Sequence, residues 1–510
     1  MILTTASESR AIDQEAMNGY GIPEAVLMEN AGASVIRLVG KRLSWAGQEI
    51  VILCGTGNNG GDGFVAARYA AEAGADVTVL VMGNPEHMGE TSRMYRSIAE
   101  KMGISVIAIS AAREALPYLS EATVIIDALI GTGLASDVTG EKAALISLVN
   151  DVSALVVSVD VPSGMDSDTG RAHGTVVEAD FTVALGTVKR GHRLYPGSDY
   201  CGKVLYSGIG IPETAREAYP VREMEKEDVA ARLPVRSRIS HKGKNGFIGI
   251  FAGSAGMAGA GLLCAQGALY GGGGKVALSC VNDIAWELAG KVPEVMVHAI
   301  GDGPCFSDKM LEAAFEEAKE YDVVALGCGF GRTEETQKFT EELLYRLDKT
   351  VIVDADALFA VAERKIDLTK CRGRLILTPH VGEFSRLTGL SAGAVEARRI
   401  DAAREYAKEH GVVLVLKGAP TVTALPDGRA WVNSTGNPGM ASGGMGDTLT
   451  GIIAALAGQG LSPADAAACG VYLHGLAGDL LAEKTPVGYT ASDVARYVGL
   501  ARKRVLEIRN

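Results

Sequence analysis

Apolar residues in this chain fall mostly into short unbroken runs. The first six cover 50–54, 77–82, 105–109, 123–128, 155–160 and 181–185; a second series covers 247–252, 275–280, 322–326, 351–354, 374–378 and 412–417. Runs apolar on both faces suit parallel strands covered by helices on either side. Longer amphipathic stretches such as 64–74 and 310–321 lie between them and read as helices, so the pattern predicts an α/β protein. Residues 252–274 form a long, almost uncharged stretch. Its nine glycines and Gln266 argue for a loop followed by a buried helix instead of a membrane span.

One break interrupts this rhythm. Residues 212–240 are charged, carry three prolines and hold almost no continuous apolar run. We expect two different modules, each a three-layer α/β unit built on a parallel sheet: 1–215, a charged linker at 216–228, and 229–510.

Composition narrows the classes. The chain has 510 residues, 47% of them apolar, which excludes a disordered protein and supplies ample core. Net charge is −12 with no basic block, which disfavours nucleic acid as a partner. Any phosphate site must therefore be built locally. The eight cysteines are scattered and contain no C-x-x-C pair, as expected for reduced cytoplasmic thiols. The opening MILTTASESR lacks the basic and apolar regions of a signal peptide, so a soluble, cytoplasmic protein with no membrane partner is expected.

The candidate chemistry of the first module lies at strand ends. Residues 49–62 read EIVILCGTGNNGGD, a strand, a glycine loop and a helix start. The loop satisfies G-x-G-x-x-G by count, but the next strand ends in Gly83-Asn84 without the acid that holds a ribose, so an ordinary dinucleotide dehydrogenase is disfavoured. Backbone N–H groups of Asn58, Asn59, Gly60, Gly61 and Asp62 at a helix start still suit phosphate, and the Asn59 and Asp62 side chains suit a cation or a sugar hydroxyl. Two further strand ends repeat the pattern: VIIDALIGTGLASD carries Asp127, and LVVSVDVPSGMD carries Asp160 and Ser163. Three such loops at the carboxyl ends of parallel strands exceed what turns alone require.

GNNGGDG, DALIGTG and SVDVPSGMDSDTG together resemble the NAD(P)H-hydrate epimerase (YjeF N-terminal) domain, a Rossmann-like unit. The resemblance implies that Asn58, Asn59, Gly60, Gly61 and Asp62, with Gly131, Thr132, Gly133, Leu134, Ala135, Ser136 and Asp137, bind the hydrated dinucleotide. It also implies that Asn59, Asp127 and Ser163 help hold K⁺. Asp160 would meet the hydroxyl-bearing ring carbon as acid or base. Both water loss and ring opening remain open as routes.

In the second module, residues 433–451 read NSTGNPGMASGGMGDTLTG ahead of an apolar helix. Small residues at a helix start offer backbone donors to a transferring phosphoryl group, with Asp447 beside them to take a hydroxyl proton. A Walker loop is excluded, because Leu269 and Val276 occupy its required Gly and Ser/Thr positions around Lys275. VDADAL, TPHVGE, ALGCGFGR and LKGAPT mark further strand ends.

With GSAGMAGA, these motifs resemble the ribokinase-like ADP/ATP-dependent NAD(P)H-hydrate dehydratase domain, with Val381 where proline is usual and Ser442 and Met445 where threonine is frequent. The resemblance implies dinucleotide contacts from Ala260, Gly329, Gly331, His380 and Asp447. It implies nucleotide contacts from Lys417, Gly418, Ala419, Pro420, Thr421 and Gly446, with Mg²⁺ near Glu383. A bifunctional repair enzyme follows, epimerising hydrated NADH or NADPH and dehydrating the S form with ADP, in a homo-oligomer. A vitamin or sugar kinase and a non-catalytic dinucleotide binder are the alternatives.

Overall fold

The computed structural model describes residues 1–134 and 136–509, and the chain divides into two compact units, Met1–Val221 and Arg222–Asn510. In the first, β1 (Glu49–Cys54), β2 (Asp76–Met82), β3 (Ser105–Ile109), β4 (Val124–Ala128), β5 (Leu155–Val159), β6 (Phe181–Leu185) and β7 (Lys203–Ser207) form one parallel sheet in the order β3-β2-β1-β4-β5-β6-β7. Successive side chains on a strand face opposite ways, and β1 divides accordingly. Ile50, Ile52 and Cys54 pack with Met28 and Val35 of α1 (Glu24–Val39) and Phe64 of α2 (Asn58–Glu72). Val51 and Leu53 pack on the other face with Leu145, Ile146 and Val149.

The strand order reverses between β1 and β4, where a crevice opens beyond the carboxyl ends of a parallel sheet. Backbone crowding explains the glycines there. A Cβ on Gly55 would lie 2.0 Å from the Leu129 carbonyl oxygen, and one on Gly60 would lie 2.0 Å from that of Gly55.

The second unit is a ten-stranded sheet: β8 (Val221–Met224), β9 (Phe247–Phe251), β10 (Lys275–Cys280), β11 (Val295–Ala299), β12 (Val323–Leu326), β13 (Thr350–Val353), β14 (Arg374–Leu377), β15 (Val413–Leu416), β16 (Val422–Ala424) and β17 (Ala430–Asn433). The order is β8-β17-β16-β15-β14-β13-β12-β9-β10-β11, parallel from β15 through β11 and antiparallel where β16 meets β15 and β17. The long uncharged stretch becomes a loop and α3 (Ala258–Tyr270), whose Cys264, Ala265 and Ala268 are wholly buried. Among the described residues, no helix is long and apolar enough to cross a membrane.

The segment 216–228 read as a linker is not one throughout. Val221–Met224 is a strand of the second sheet, and the following helix Lys226–Arg232 buries Val229 and Ala230 and sets Arg232 3.0 Å from Asp465. Its charged residues hide a strand in which Val221, Glu223 and Met224 are buried.

Replacing Gly60 with alanine forces the β1–α2 turn apart. Gly60→Ala is expected to destabilise the first unit by about 2–4 kcal/mol in urea unfolding followed by circular dichroism.

Candidate active sites

The crevice at the β1/β4 reversal is a cavity of about 780 Å³. Asn58, Asn59, Asp62, Gly131, Thr132, Gly133, Leu134, Ser136, Asp137 and Asp160 line it, so the three sequence motifs converge. Gly60 and Gly61 are buried in the first turn of α2 and shape the wall without lining it. Ala135 lies outside the described residues. The first turn of α2 has no side-chain cap, which leaves backbone N–H groups for an anion.

Asp127 is buried and outside the cavity lining, where it ties two loops together. Its Oδ1 accepts from Ser163 Oγ (2.6 Å) and Leu129 N (3.3 Å), and its Oδ2 from Ser158 Oγ and Ser163 N (both 2.9 Å). Burial raises its carboxyl despite these bonds. Ser163 Oγ also accepts from Ile130 N at 2.8 Å, fixing the start of the Gly131 loop. The Asn59 amide lies against Gly131, and its nitrogen is buried without a hydrogen-bond partner.

Two residues absent from the sequence reading enter this site. Lys189, 1% exposed, donates from Nζ to Asp160 Oδ1, to the Leu185 carbonyl (2.8 Å) and to the Thr187 carbonyl (3.1 Å). Asp13 comes from the helix Ala6–Gln14 and also lines the cavity. Burial, opposed by Lys189 and reinforced by Asp160, lifts its carboxyl to about 6. Burial, then Asp160 and Asp13, push Asp62 well above the usual range. Asp160 itself has φ 65°, a strained backbone for a residue with a side chain. No local motif surrounds Asp13 or Lys189, which lie between Ile12 and Gln14 and between Val188 and Arg190.

The second cavity, about 540 Å³, gathers Asp354, His380, Glu383, Lys417, Gly418, Gly446 and Asp447 at the carboxyl ends of β13, β14 and β15. Lys417 Nζ donates to Asp354 Oδ1 at 2.9 Å and sits 4.0 Å from Glu383 Oε2; Thr450 Oγ1 donates to Asp354 Oδ2 at 2.8 Å. Burial would raise Asp354, but the Lys417 ammonium and these bonds hold it below the usual carboxylate range. Burial drives Asp447 the other way, and the Asp354 charge adds to it, lifting Asp447 to about 6. Burial also raises Glu383, against the pull of Lys417.

Asp447 lies in the first turn of α5, which we number after α4 (Val381–Thr388); α5 spans Met445–Gly458 and opens on Gly444 at φ 87°. A Cβ on Gly446 would lie 3.1 Å from Lys417 Nζ, so glycine brings the helix start against the ion pair. His380 caps α4, its Nδ1 accepting from Gly382 N (3.0 Å) and Glu383 N (3.3 Å), while Glu383 Oε2 accepts from His380 N at 2.9 Å. The loop of Lys417, Gly418, Ala419, Pro420 and Thr421 is held by buried Arg399, which donates to the carbonyls of Leu416, Lys417 and Pro420. Of that loop, Lys417 and Gly418 line the cavity, and Ala419, Pro420 and Thr421 do not. Ala260 and Gly329 meet each other outside the lining, next to Cys328, whose Sγ is 4.0 Å from Asp354 Oδ2. Gly331 donates its N–H to Asp356 Oδ2 at 2.9 Å.

Two parallel-sheet units, each with a carboxylate-bearing cavity beside a helix opened by glycine, define a two-site α/β enzyme class. Residues 24–191 match the family model described as YjeF-related protein N-terminus, and residues 248–499 match that of NAD(P)H-hydrate dehydratase. The chain is 40% identical over 488 residues to the bifunctional NAD(P)H-hydrate repair enzyme of Moorella thermoacetica, covering 94% of this chain and 92% of that protein. It is also 40% identical over 517 residues to the enzyme of that description from Thermofilum pendens, covering 99% and 97%. A crystal structure of a ribokinase-like superfamily protein from Enterococcus faecalis is 25% identical with a TM-score of 0.50, covering 56% of this chain and 96% of that one. The chain belongs to the family of bifunctional NAD(P)H-hydrate repair enzymes.

Breaking the second site's ion pair strands a buried charge. Lys417→Met is expected to cost about 3–5 kcal/mol in denaturant unfolding of the full chain. The sign reverses for Asp447, whose fold favours the protonated carboxyl. That stability is intact below 3.8 and lost as pH rises through about 6. Asp447→Asn should therefore stabilise the protein above pH 6 by about 1–3 kcal/mol, and not below 3.8, in thermal melts across pH.

Proposed function

We propose that this chain repairs hydrated NADH and NADPH in two steps: the first unit interconverts the two epimers, and the second dehydrates the S epimer with ADP, releasing AMP and phosphate. The carrying observation is Asp447, a carboxyl lifted to about 6 at the glycine-opened start of α5, beside the Lys417–Asp354 pair. There Asp447 accepts the proton of the substrate hydroxyl as that oxygen forms its bond to the transferred phosphoryl group. Backbone N–H groups from Gly444 to Gly446 stabilise the phosphoryl oxygens. Lys417 neutralises negative charge at the same mouth, and Gly418, Ala419, Pro420, Thr421 and Gly446 border the nucleotide. Ala260, Gly329, Gly331 and His380 flank the hydrated ring. Phosphate then leaves far more readily than hydroxide would, and loss of a ring proton restores the dihydropyridine.

The donors also suit the expected ions. Glu383, with only its Oε2 engaged by His380 N, offers a hard oxygen to Mg²⁺, which would shield the nucleotide's charge. In the first unit, the side-chain oxygens of Asn59, Asp127 and Ser163 are the hard donors that would hold K⁺, which would fix the loops around the dinucleotide. Asn58, Asn59, Gly60, Gly61 and Asp62 cradle phosphate, and the Gly131–Asp137 loop covers the dinucleotide. Asp160, paired with Lys189, faces the hydroxyl-bearing carbon. We also propose a homo-oligomer in the cytoplasm.

The test is recovery of dihydronicotinamide absorbance and free phosphate from mixed epimers of hydrated NADH with ADP, Mg²⁺ and K⁺. Complete recovery is expected for the native chain. Asp160→Asn should stall once the S epimer is consumed, and Asp447→Asn should lose about 10²–10⁴-fold in dehydration while still interconverting epimers. Accumulation of a phosphorylated substrate would favour a kinase.

A further inference from the structure

In the first cavity the carboxyls outnumber the buried ammonium of Lys189, and the lining also carries Arg10 and Lys142. Asp13, Asp62 and Asp160 line it with Lys189, whose ammonium is committed to Asp160 and two carbonyls. Crowding three carboxyls around one buried ammonium favours retained protons in this cluster.

Asp13 is held in place deliberately. Leu3–Thr4 pairs in parallel with Val188–Lys189, and Thr4 Oγ1 lies 2.7 Å from Thr187 Oγ1. Thr5 and Glu8 cap the helix reciprocally, Ala6 N donates to Asp168 Oδ1 at 2.6 Å, and Arg190 donates to Glu8 at 3.2 Å. The helix bearing Asp13 is thereby fastened to the segment bearing Lys189. The charged and titratable groups around Asp13 are Glu8 and Arg10 on its own helix, Glu24 of α1, Asp62 of α2, Asp160 after β5, and Lys189 with buried His192 beside it, with Asp137 and Lys142 also in the lining. Asp62 is pushed well above the usual range by burial, whereas Asp13, at about 6, exchanges a proton near working pH.

We propose that Asp13 is a catalytic residue of the first site, the proton donor to the hydroxyl leaving the hydrated ring. This rests on the epimerase reading of that site. The hydroxyl-bearing carbon is bonded to the ring nitrogen. Asp13 gives its proton to the hydroxyl oxygen, the carbon–oxygen bond breaks with its electron pair going to oxygen, and the nitrogen lone pair closes onto the carbon as water departs. Water returns to the opposite face, the lone pair returns to nitrogen, and the released proton passes to Asp160. Transfer of that proton to Asp13 restores the start.

Epimerisation is read on the full chain without nucleotide, following interconversion of separated epimers by chromatography against the spontaneous rate. The native rate should fall as pH rises above about 6, where Asp13 loses its proton. Asp13→Asn should lose about 10²–10⁴-fold in kcat with little change in KM, and its residual rate should lack that limb. Asp13→Glu should recover part of the rate together with the limb. Thermal melts distinguish an unfolded variant from an inactive one. Asp13→Asn acting within about threefold of the native chain, or keeping the limb, overturns the proposal. A native chain that interconverts nothing overturns the epimerase reading itself, and the proposal with it.

Discussion

Each unit places one buried ammonium among carboxyls that outnumber it. Lys189 faces Asp160, Asp13 and Asp62; Lys417 faces Asp354, Glu383 and Asp447. In both, the lysine is committed to one carboxylate, and the excess negative charge is relieved by retaining protons on the others. That imbalance gives each cavity a paired, charged carboxylate beside one that exchanges its proton within the working range. The strand ends and glycine turns exist, in physical terms, to enclose these groups closely enough for the imbalance to matter.

The enclosure depends on backbone more than on side chains. Gly55 and Gly60 permit contacts that no Cβ allows, and Gly446 brings a helix start against an ion pair. Where residues with side chains adopt left-handed backbone, three of the four among the described residues line a cavity: Asp160, Ile209 and Ala355. Such positions cost about 1–3 kcal/mol each and persist only where surrounding structure fixes them.

The central parallel strands were legible because burial on both faces leaves a continuous apolar signature, whereas the antiparallel Val422–Ala424 and Ala430–Asn433 were not read from the sequence. Among the described edge strands, only Ser105–Ile109 was legible. Lys203–Ser207 and Val295–Ala299 are only partly buried, and Val221–Met224 carries Arg222 and Glu223 in four residues, which reads as loop. The same distinction governs the sites. Asp160 and Asp447 stand beside glycines whose clustering demands explanation. Asp13 and Lys189 reach the cavity from distant segments, and only the fold reveals their shared charge. Asp354 was visible as a strand-end acid, but its partners Lys417 and Thr450 lie 63 and 96 residues away.

The pairing of Leu3–Thr4 with Val188–Lys189 also bears on synthesis. Its side-chain contact spans 183 residues, nearly the length of the first unit. A ribosome adding about 5–20 residues per second takes roughly ten to forty seconds to pass from Thr4 to Lys189. Throughout that interval the helix bearing Asp13 can pack on Leu27 of α1 but lacks its tie to the segment of Lys189, while the strands flanking the crevice are already available to pair. The nascent unit thus carries Leu3–Thr4 without its strand partner until Lys189 emerges.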